Sequence, residues 1–275
     1  MPFGTSKAAM MGAAGGTTFD MEGGNRTTAG GYNYQTYTAS GTVTVIGEGE
    51  VDVMLVGGGG SQYYTSYSGG GGGGGILYAT GFTLEEGTYS LTIGAGSANT
   101  QANGGQTQIE IGGGWIAAGG GGFGGNGGWG YCHGGAAGTS NAGLTPPYKV
   151  SSGGGGGGGT WYGYCSGSGG SGNAQQDSGS LPTGSWSNTT SGNGKGGDTY
   201  AQGQAGASGH ANASDQSIGQ PGYTWLDGNV YGSGGSGANR SVTVTSAYGG
   251  GGGNGADPGN RQDAQNGVFI CRWPE

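Results

Sequence analysis

From residue 32 onward, apolar and polar side chains alternate with a period of two along several stretches. Tyr32 and Tyr34 open the pattern, Val43 and Val45 continue it, and mostly polar residues occupy the positions between. Because successive side chains of a strand point to opposite faces, this pattern predicts strands with one buried and one solvated face. Further strands are predicted at residues 51–55, 76–80, 89–93, 107–111, 115–118, 242–245 and 267–272.

Three features indicate how an all-β fold is organised. The Gly-Glu-Gly link at residues 47–49 is short, which predicts a hairpin between the strands at 43–45 and 51–55. The alternating segment 267–272 predicts a last strand that returns to the first sheet, so that the ends of the folded unit are neighbours. Residues 1–31 carry little pattern, which predicts an N-terminal arm rather than a domain.

Glycine runs adjoin the predicted strands directly, and the chain has 80 glycines in 275 residues. Ordering a glycine costs about 0.5–1 kcal/mol more than ordering an alanine, and glycine has no side chain to bury. The runs therefore either stay disordered or pair their backbone N–H and C=O groups side by side, as polyproline II-type helices with three residues per turn. Regular alternation of strand and run favours pairing. The unbroken runs are residues 57–60, 69–75, 119–122, 153–159 and 249–253.

Charge and hydropathy narrow the function. The formal net charge is −8 and the seven Lys and Arg residues are scattered. Nucleic acid is therefore not expected as a binding partner, because phosphate binding needs clustered cations. No stretch has the apolar length of a membrane span, and residues 8–14 fall short of a secretory signal. We expect neither a cofactor nor membrane insertion.

Candidate catalytic groups are sparse. His133 and His210 have no recognisable nucleophile motif beside them, and Glu85-Glu86 reads as a solvated turn. The acidic residues lack the spacing of a calcium-binding loop, although this spacing does not exclude one bound calcium ion. The cysteines lack the paired spacing of a zinc site. The sequence therefore predicts a protein that is not an enzyme and has no metal site.

Two of the three cysteines have similar surroundings. Cys132 and Cys165 each follow an aromatic-Gly-Tyr segment, so adjacent loops would allow a disulfide in an oxidising compartment. Three buried or idle thiols, with Cys271 the third, are the alternative.

Aromatic residues crowd the inserts between glycine runs. Tyr and Trp among Ser, Gly and Asn are typical of recognition loops, because these rings give large contact area at low entropy cost. Alternatively, the rings cover the glycine bundle and shield its hydrogen bonds from water. The candidate receptor-binding residues are Tyr63, Tyr64, Tyr67, Trp129, Tyr131, Trp161, Tyr162, Tyr164, Trp186, Tyr223 and Trp225.

The order of strands and glycine runs supports a family resemblance. Its parts are Ser-Gly-Thr-Val-Thr-Val at 40–45, Val-Asp-Val-Met-Leu-Val-Gly-Gly-Gly-Gly at 51–60, Gly-Thr-Tyr-Ser-Leu-Thr-Ile-Gly-Ala-Gly at 87–96 and Gly-Val-Phe-Ile-Cys-Arg at 267–272. This order resembles the glycine-rich domain of bacteriophage tail-fibre and other virion proteins. It is also similar to the glycine-rich domain of anaplastic-lymphoma-kinase-type receptors. The resemblance covers about residues 30–275.

The resemblance implies a β-sandwich base with an inserted bundle of polyglycine II helices and long irregular loops. Residues 1–30 would be an arm that docks onto other virion proteins. Residues 31–275 would be the glycine-rich domain, with the sheet mainly at 32–118 and 267–272 and the loop-rich bundle at 119–266.

The expected function is a tail-fibre or tail-tip adhesin on the phage particle, made in the bacterial cytoplasm, whose loops meet a host glycan or outer-membrane protein. A homotrimer is one candidate assembly. The alternatives are a head fibre, decoration or cement protein without a receptor, and, with less support, an ice-binding or cell-wall glycine-rich protein.

Overall fold

The computed structural model describes a large part of the chain, and in that part the fold is all-β, without a helix. The described residues are 18–62, 69–98, 101–125, 148–151, 153–154, 175–178, 186–188, 219, 221–235, 246–253 and 262–275. The predicted strand at 242–245 lies outside these residues.

The structure describes fifteen strands, of which eight lie at segments that the alternating pattern predicts. They are β1 Asp20–Glu22, β2 Asn25–Ala29, β3 Tyr32–Tyr37, β4 Gly41–Ile46, β5 Gly49–Val56, β6 Ile76–Leu84, β7 Gly87–Thr92, β8 Thr107–Ile111, β9 Gly114–Ala118, β10 Tyr148–Ser151, β11 Gln175–Ser178, β12 Trp186–Asn188, β13 Tyr223–Thr224, β14 Val230–Tyr231 and β15 Val268–Pro274.

These strands form two large sheets and one small one. Sheet I has seven strands in the order β1-β4-β7-β8-β9-β10-β11, and sheet II has six in the order β12-β6-β5-β15-β3-β2. Strands β13 and β14 form a two-stranded hairpin. Neighbouring strands are antiparallel except β9 and β10, which are parallel.

Side chains from both large sheets form one buried cluster. Sheet I contributes alternate residues such as Val43 and Ile116, and sheet II contributes others such as Leu55 and Phe269, all fully buried. The period-two pattern therefore marks residues of this shared buried cluster.

The hairpin predicted at residues 47–49 is wrong. Strand β4 pairs with β1 and β7 in sheet I, whereas β5 pairs with β6 and β15 in sheet II. Gly47, with a φ of 68°, turns the chain from one sheet into the other. Both strands alternate apolar residues because both bury one face in the common core, so alternation did not reveal that they belong to different sheets.

The predicted last strand is confirmed. Strand β15 lies between β3 and β5, pairing Phe269 with Tyr37 on one side and with Leu55 on the other. The C-terminal segment thus completes the sheet that the first predicted strand begins.

Strands also form within residues 1–30, the segment expected to be an arm. Strand β1 is an edge of sheet I and β2 an edge of sheet II, so the folded part begins before residue 30. Residues 1–17 of the expected arm lie outside the described part of the chain.

Arg26 joins these two edges. Its guanidinium donates to Asp20 Oδ1 and Met21 O on β1, and its Nε donates to Gln35 Oε1 on β3 at 3.0 Å. It also lies 5.2 Å from the Trp273 ring centroid. The hydrogen bond from Arg26 lowers the pKa of Asp20. An inward-pointing charge on an edge strand also discourages edge-to-edge aggregation.

The two ends of the sheets differ. Six strand termini lie at the same end of the sheets, here called the glycine end, where most of them continue into glycine-containing segments: Val56, Ile76, Thr92, Thr107, Ala118 and Val268. The opposite end, here called the base end, carries the links at 47–48, 85–86 and 112–113. Asp20 pairs with Ile46 there, so the chain enters the fold at the base end.

Candidate functional site

The glycine-rich segments bond to one another through their backbones beyond the sheets. The clearest case is residues 57–61, here called the central segment, which follows β5. Its successive N–H groups donate to three different segments in turn, and the fourth and fifth donors return to the first and second. The acceptors, in order, are Gly75 O, Gly105 O, Gln265 O, Gly72 O and Ala102 O, at 2.9–3.0 Å.

The central segment also accepts hydrogen bonds from three further segments. Gly58 O and Ser61 O accept from residues 119–125, Gly59 O from Ser97 N, and Gly60 O from Gly252 N. Donors and acceptors together give the central segment six bonded neighbours, at residues 69–75, 94–98, 102–106, 119–125, 249–253 and 262–267.

The segment 69–75 repeats the same period. The N–H groups of Gly69, Gly72 and Gly75 donate to residues 119–125, and those of Gly71 and Gly74 donate to residues 249–253. Donors three residues apart therefore point in the same direction. None of the described glycines in 57–60, 69–75 or 119–122 has a positive φ.

Neighbouring segments approach too closely for any side chain at many positions. A Cβ on Gly59 would lie 1.9 Å from Gly250 O, and one on Gly120 would lie 1.8 Å from Gly104 O. These glycines are needed for spacing between backbones rather than for a left-handed turn.

Polar side chains complete the pairing where strands enter the glycine-rich region. The Thr107 hydroxyl is fully buried, donates a hydrogen bond to Val56 O at 2.6 Å and accepts one from Gly94 N–H at 3.0 Å. Asn266 Oδ1 accepts from Gly96 N, and the Ser61 hydroxyl bonds to both N and O of Ala102. Such contacts satisfy backbone groups that the strands leave unpaired.

Most candidate receptor-binding aromatics lie outside the described residues. These are Tyr63, Tyr64, Tyr67, Trp129, Tyr131, Trp161, Tyr162 and Tyr164, together with Cys132 and Cys165 of the predicted disulfide. Trp186 begins β12, in register with Ala79 of β6, and its side chain is not described. The described segments that lead toward several of these inserts end at residues 62, 125 and 154.

Tyr223 and Trp225 are in or next to the β13–β14 hairpin, which packs on the side of sheet II away from the main core. Trp225 is only 4% exposed, so the expectation of an exposed ring is wrong at this position. It belongs to a buried cluster with Met54, Val56 and Ile270, and its Nε1–H has no hydrogen-bond partner among the described residues. Tyr223 is partly buried and stacks on Tyr78.

The aromatic cluster that this hairpin forms with sheet II was not predicted from the sequence. Tyr34 and Tyr231 are buried in it, while Tyr32, Tyr78 and Tyr248 pack around it. Asp227 accepts the Tyr231 hydroxyl and the backbone N–H of Asn229, and Gly228 turns the chain with a φ of 80°. The Asp-Gly-Asn sequence at 227–229 was the available signal for this turn.

The described residues offer little catalytic chemistry. They contain no group of three or more His, Cys, Asp or Glu side chains that could hold a metal ion. Burial raises the pKa of the Cys271 thiol, which is the opposite of what a nucleophilic cysteine needs. Nor do they include a helix long and apolar enough to cross a membrane.

No known protein-family model matches this chain. No curated protein is significantly similar to it in sequence.

Proposed function

We propose that the two large sheets form a β-sandwich and that the glycine-rich segments form a bundle of polyglycine II helices on its glycine end. The three-residue period of the donors supports this, because a polyproline II-type helix has three residues per turn. Six bonded neighbours around the central segment fit hexagonal packing of such helices. The absence of positive φ in the described glycines of 57–60, 69–75 and 119–122 fits a left-handed helix.

Hydrogen exchange tests this bundle. Amide protons of Gly57–Gly60 and Gly71–Gly75 that donate between segments should exchange slowly, because exchange requires local opening. Amides of β2, whose five residues are exposed at a sheet edge, provide the internal comparison. Exchange in the glycine segments as fast as in an unfolded glycine peptide would contradict the bundle.

We further propose that the protein is a non-enzymatic phage virion protein, most simply a tail-fibre or tail-tip adhesin. The observation that carries the proposal is that the chain entry and the glycine-rich segments lie at opposite ends of the sheets. The chain enters the fold at the base end, whereas the hydrogen-bonded glycine segments lie at the opposite end and continue toward aromatic-rich inserts. An arm at residues 1–17 would attach to another virion protein, leaving the inserts to meet a host glycan or outer-membrane protein.

Rigidity is the mechanism in this proposal. A loop that is already ordered loses less conformational freedom on binding, so modest contacts suffice for specificity. Each glycine-rich segment is hydrogen-bonded through its backbone to several neighbours. These bonds would fix the positions at which the inserts begin and end.

Adsorption of the purified protein to cells of the bacterial host tests this function. Replacing Tyr63, Tyr64 and Tyr67 with Ser should weaken adsorption at least tenfold. Replacing Glu48, Glu85 and Glu86 with Gln, three exposed positions at the base end, is the matched control and should leave adsorption unchanged. Failure of the unaltered protein to adsorb or to block infection would contradict the adhesin and favour a decoration or cement protein.

Deleting residues 1–17 tests the arm separately. The shortened protein should still adsorb to cells but should no longer be incorporated into particles. Normal incorporation would show that the arm is not the attachment point.

A further inference from the structure

Two tyrosines that are far apart in the chain meet face to face beside the β13–β14 hairpin. Tyr78 lies on β6 in sheet II and Tyr223 begins β13. Their ring centroids are 5.2 Å apart and their planes differ by 17°. Each ring is partly buried, so each keeps some contact with solvent.

The Tyr78 phenol also influences the ionisation of Tyr223. Burial of the ring, followed by hydrogen bonding to the Tyr78 side chain, raises the pKa of Tyr223 to about 12. The ring carbons ortho to a hydroxyl are next to the carbon that carries it. Nearly parallel rings with centroids 5.2 Å apart bring ring carbons of the two phenols near each other.

We propose that Tyr78 and Tyr223 are a site of oxidative cross-linking, at which a one-electron oxidant joins the rings as dityrosine. Each phenol gives up one electron to the oxidant and one proton to solvent, which leaves two phenoxyl radicals. The radicals couple through one ortho carbon each, forming a carbon–carbon bond. The hydrogen on each coupled carbon then moves to the oxygen, which restores both phenols. With persulfate as the terminal oxidant, the two electrons convert one persulfate ion to two sulfate ions.

A second tyrosine pair shows what makes the first one favourable. Tyr231 and Tyr248 also stack, with planes 15° apart, but their centroids are 6.3 Å apart. Tyr231 is 2% exposed, and its hydroxyl donates to Asp227. The Tyr78–Tyr223 pair combines the shorter separation with partial exposure of both rings.

The cross-link would tie the hairpin covalently to sheet II. The hairpin pairs through two residues per strand, so its attachment depends mainly on the burial of Trp225 and Tyr231. A covalent bridge between residues distant in the chain restricts the unfolded state and so stabilises the folded one. The joined protein should therefore unfold at a higher temperature than the same protein before oxidation.

Brief illumination of the full chain with a ruthenium(II) tris-bipyridine complex and persulfate tests the proposal. Dityrosine fluorescence should appear in monomeric protein, and peptide mapping by mass spectrometry should find the Tyr78 peptide joined to the Tyr223 peptide with two hydrogen atoms lost. Tyr223→Phe keeps the ring but removes the phenol and should abolish this product. Tyr248→Phe, which removes one phenol from the other stack, is the matched control and should leave the product unchanged.

Three results would overturn the proposal. One is the absence of the Tyr78–Tyr223 product in folded monomer. Another is a yield no higher than that of the Tyr231–Tyr248 product. The third is an equal yield from protein unfolded in denaturant before illumination, which would show that the fold does not direct the coupling. Circular dichroism of both Phe variants verifies that each is folded.

Discussion

At the scale of single residues, many positions in the glycine-rich segments require glycine because a Cβ there would overlap a neighbouring backbone atom. Around Gly59 the obstacle is the carbonyl of Gly250, a backbone group that cannot turn aside as a flexible side chain would. The same atoms make the hydrogen bonds that order the segments. Close approach and backbone pairing are thus one requirement, which explains why alanine is rare in these runs.

Gly59→Ala should destabilise the protein by about 3 kcal/mol, because the new Cβ would overlap a backbone oxygen and push two segments apart. Gly41→Ala is the matched control, since a Cβ there meets nothing within 4 Å. Urea unfolding of both variants measures the difference. Equal midpoints for the two would contradict close packing of the glycine segments.

Thr107→Val should cost about 2–3 kcal/mol, because it keeps the shape of the side chain but leaves Val56 O and Gly94 N–H without their buried partner. Thr107→Ser retains the hydroxyl and should cost clearly less. Thermal unfolding distinguishes them. A valine variant as stable as the serine variant would show that the hydroxyl is not needed at this junction.

At the scale of elements, the junction of β5, β6 and β15 shows how one carboxylate sets local geometry. The β5–β6 register shifts between Val51 and Val53. Within this irregularity Asp52 Oδ1 accepts Gly81 N–H at 3.1 Å, while Oδ2 accepts Arg272 Nε at 3.0 Å. Arg272 in turn lies 4.1 Å over the Tyr32 ring. The carboxylate therefore links the bulge to the strand between β5 and β3.

Asp52→Ala should cost about 2 kcal/mol, because it leaves the Arg272 guanidinium without its partner in a mostly buried position and frees Gly81 N–H. Glu50→Ala changes an exposed carboxylate on the same strand and should cost less than about 0.5 kcal/mol. Denaturant midpoints compare the two. A similar loss in both would mean that net charge matters here and the Asp52 contacts do not.

Strands with a buried face could be predicted from the sequence, and edge strands could not. Alternation at Val43 and Val45 marked β4, but all five residues of β2 are exposed, so β2 carries no apolar signal. Pairing partners were also hidden, because β4 and β5 bury their alternate residues in the same core from different sheets. In the glycine runs the residues are identical, so the sequence does not indicate how one segment aligns with its neighbours. The order of neighbours around residues 57–61 therefore could not be predicted.

The candidate site was less predictable than the strands. Aromatic composition identified Tyr223 and Trp225 without distinguishing a recognition surface from packing. Trp225 is buried because the Asp-Gly-Asn turn folds β13 and β14 back over the apolar outer face of sheet II. Sequence spacing shows such a turn, but the face that it covers is set by tertiary contacts.

At the scale of the whole molecule, the buried Cys271 thiol and several buried phenol groups link stability to pH. Burial raises the pKa of Cys271, of Tyr37 and of Tyr231, the last also through its hydrogen bond to Asp227. Each group is neutral when protonated, so the folded state retains its protons to higher pH than the unfolded chain does. The ordinary values to compare are 9.0 for the thiol and 10.0 for the phenols.

Alkaline pH should therefore unfold the protein. Where the folded pKa is the higher one, the stabilising contribution is complete below the unfolded pKa and is lost as pH rises toward the folded pKa. Stability should hold up to about pH 9 and then fall, by up to about 1.4 kcal/mol per pH unit for each such group. Urea midpoints from pH 7 to pH 11 measure this decline in stability.

Cys271→Ala tests the contribution of the thiol. The variant starts from a lower stability because it leaves a small cavity. It should lose the part of the decline that begins near pH 9 and keep the tyrosine part that begins near pH 10. Parallel curves for the two proteins would show that the thiol does not contribute, and a flat curve to pH 11 would contradict the burial of these groups.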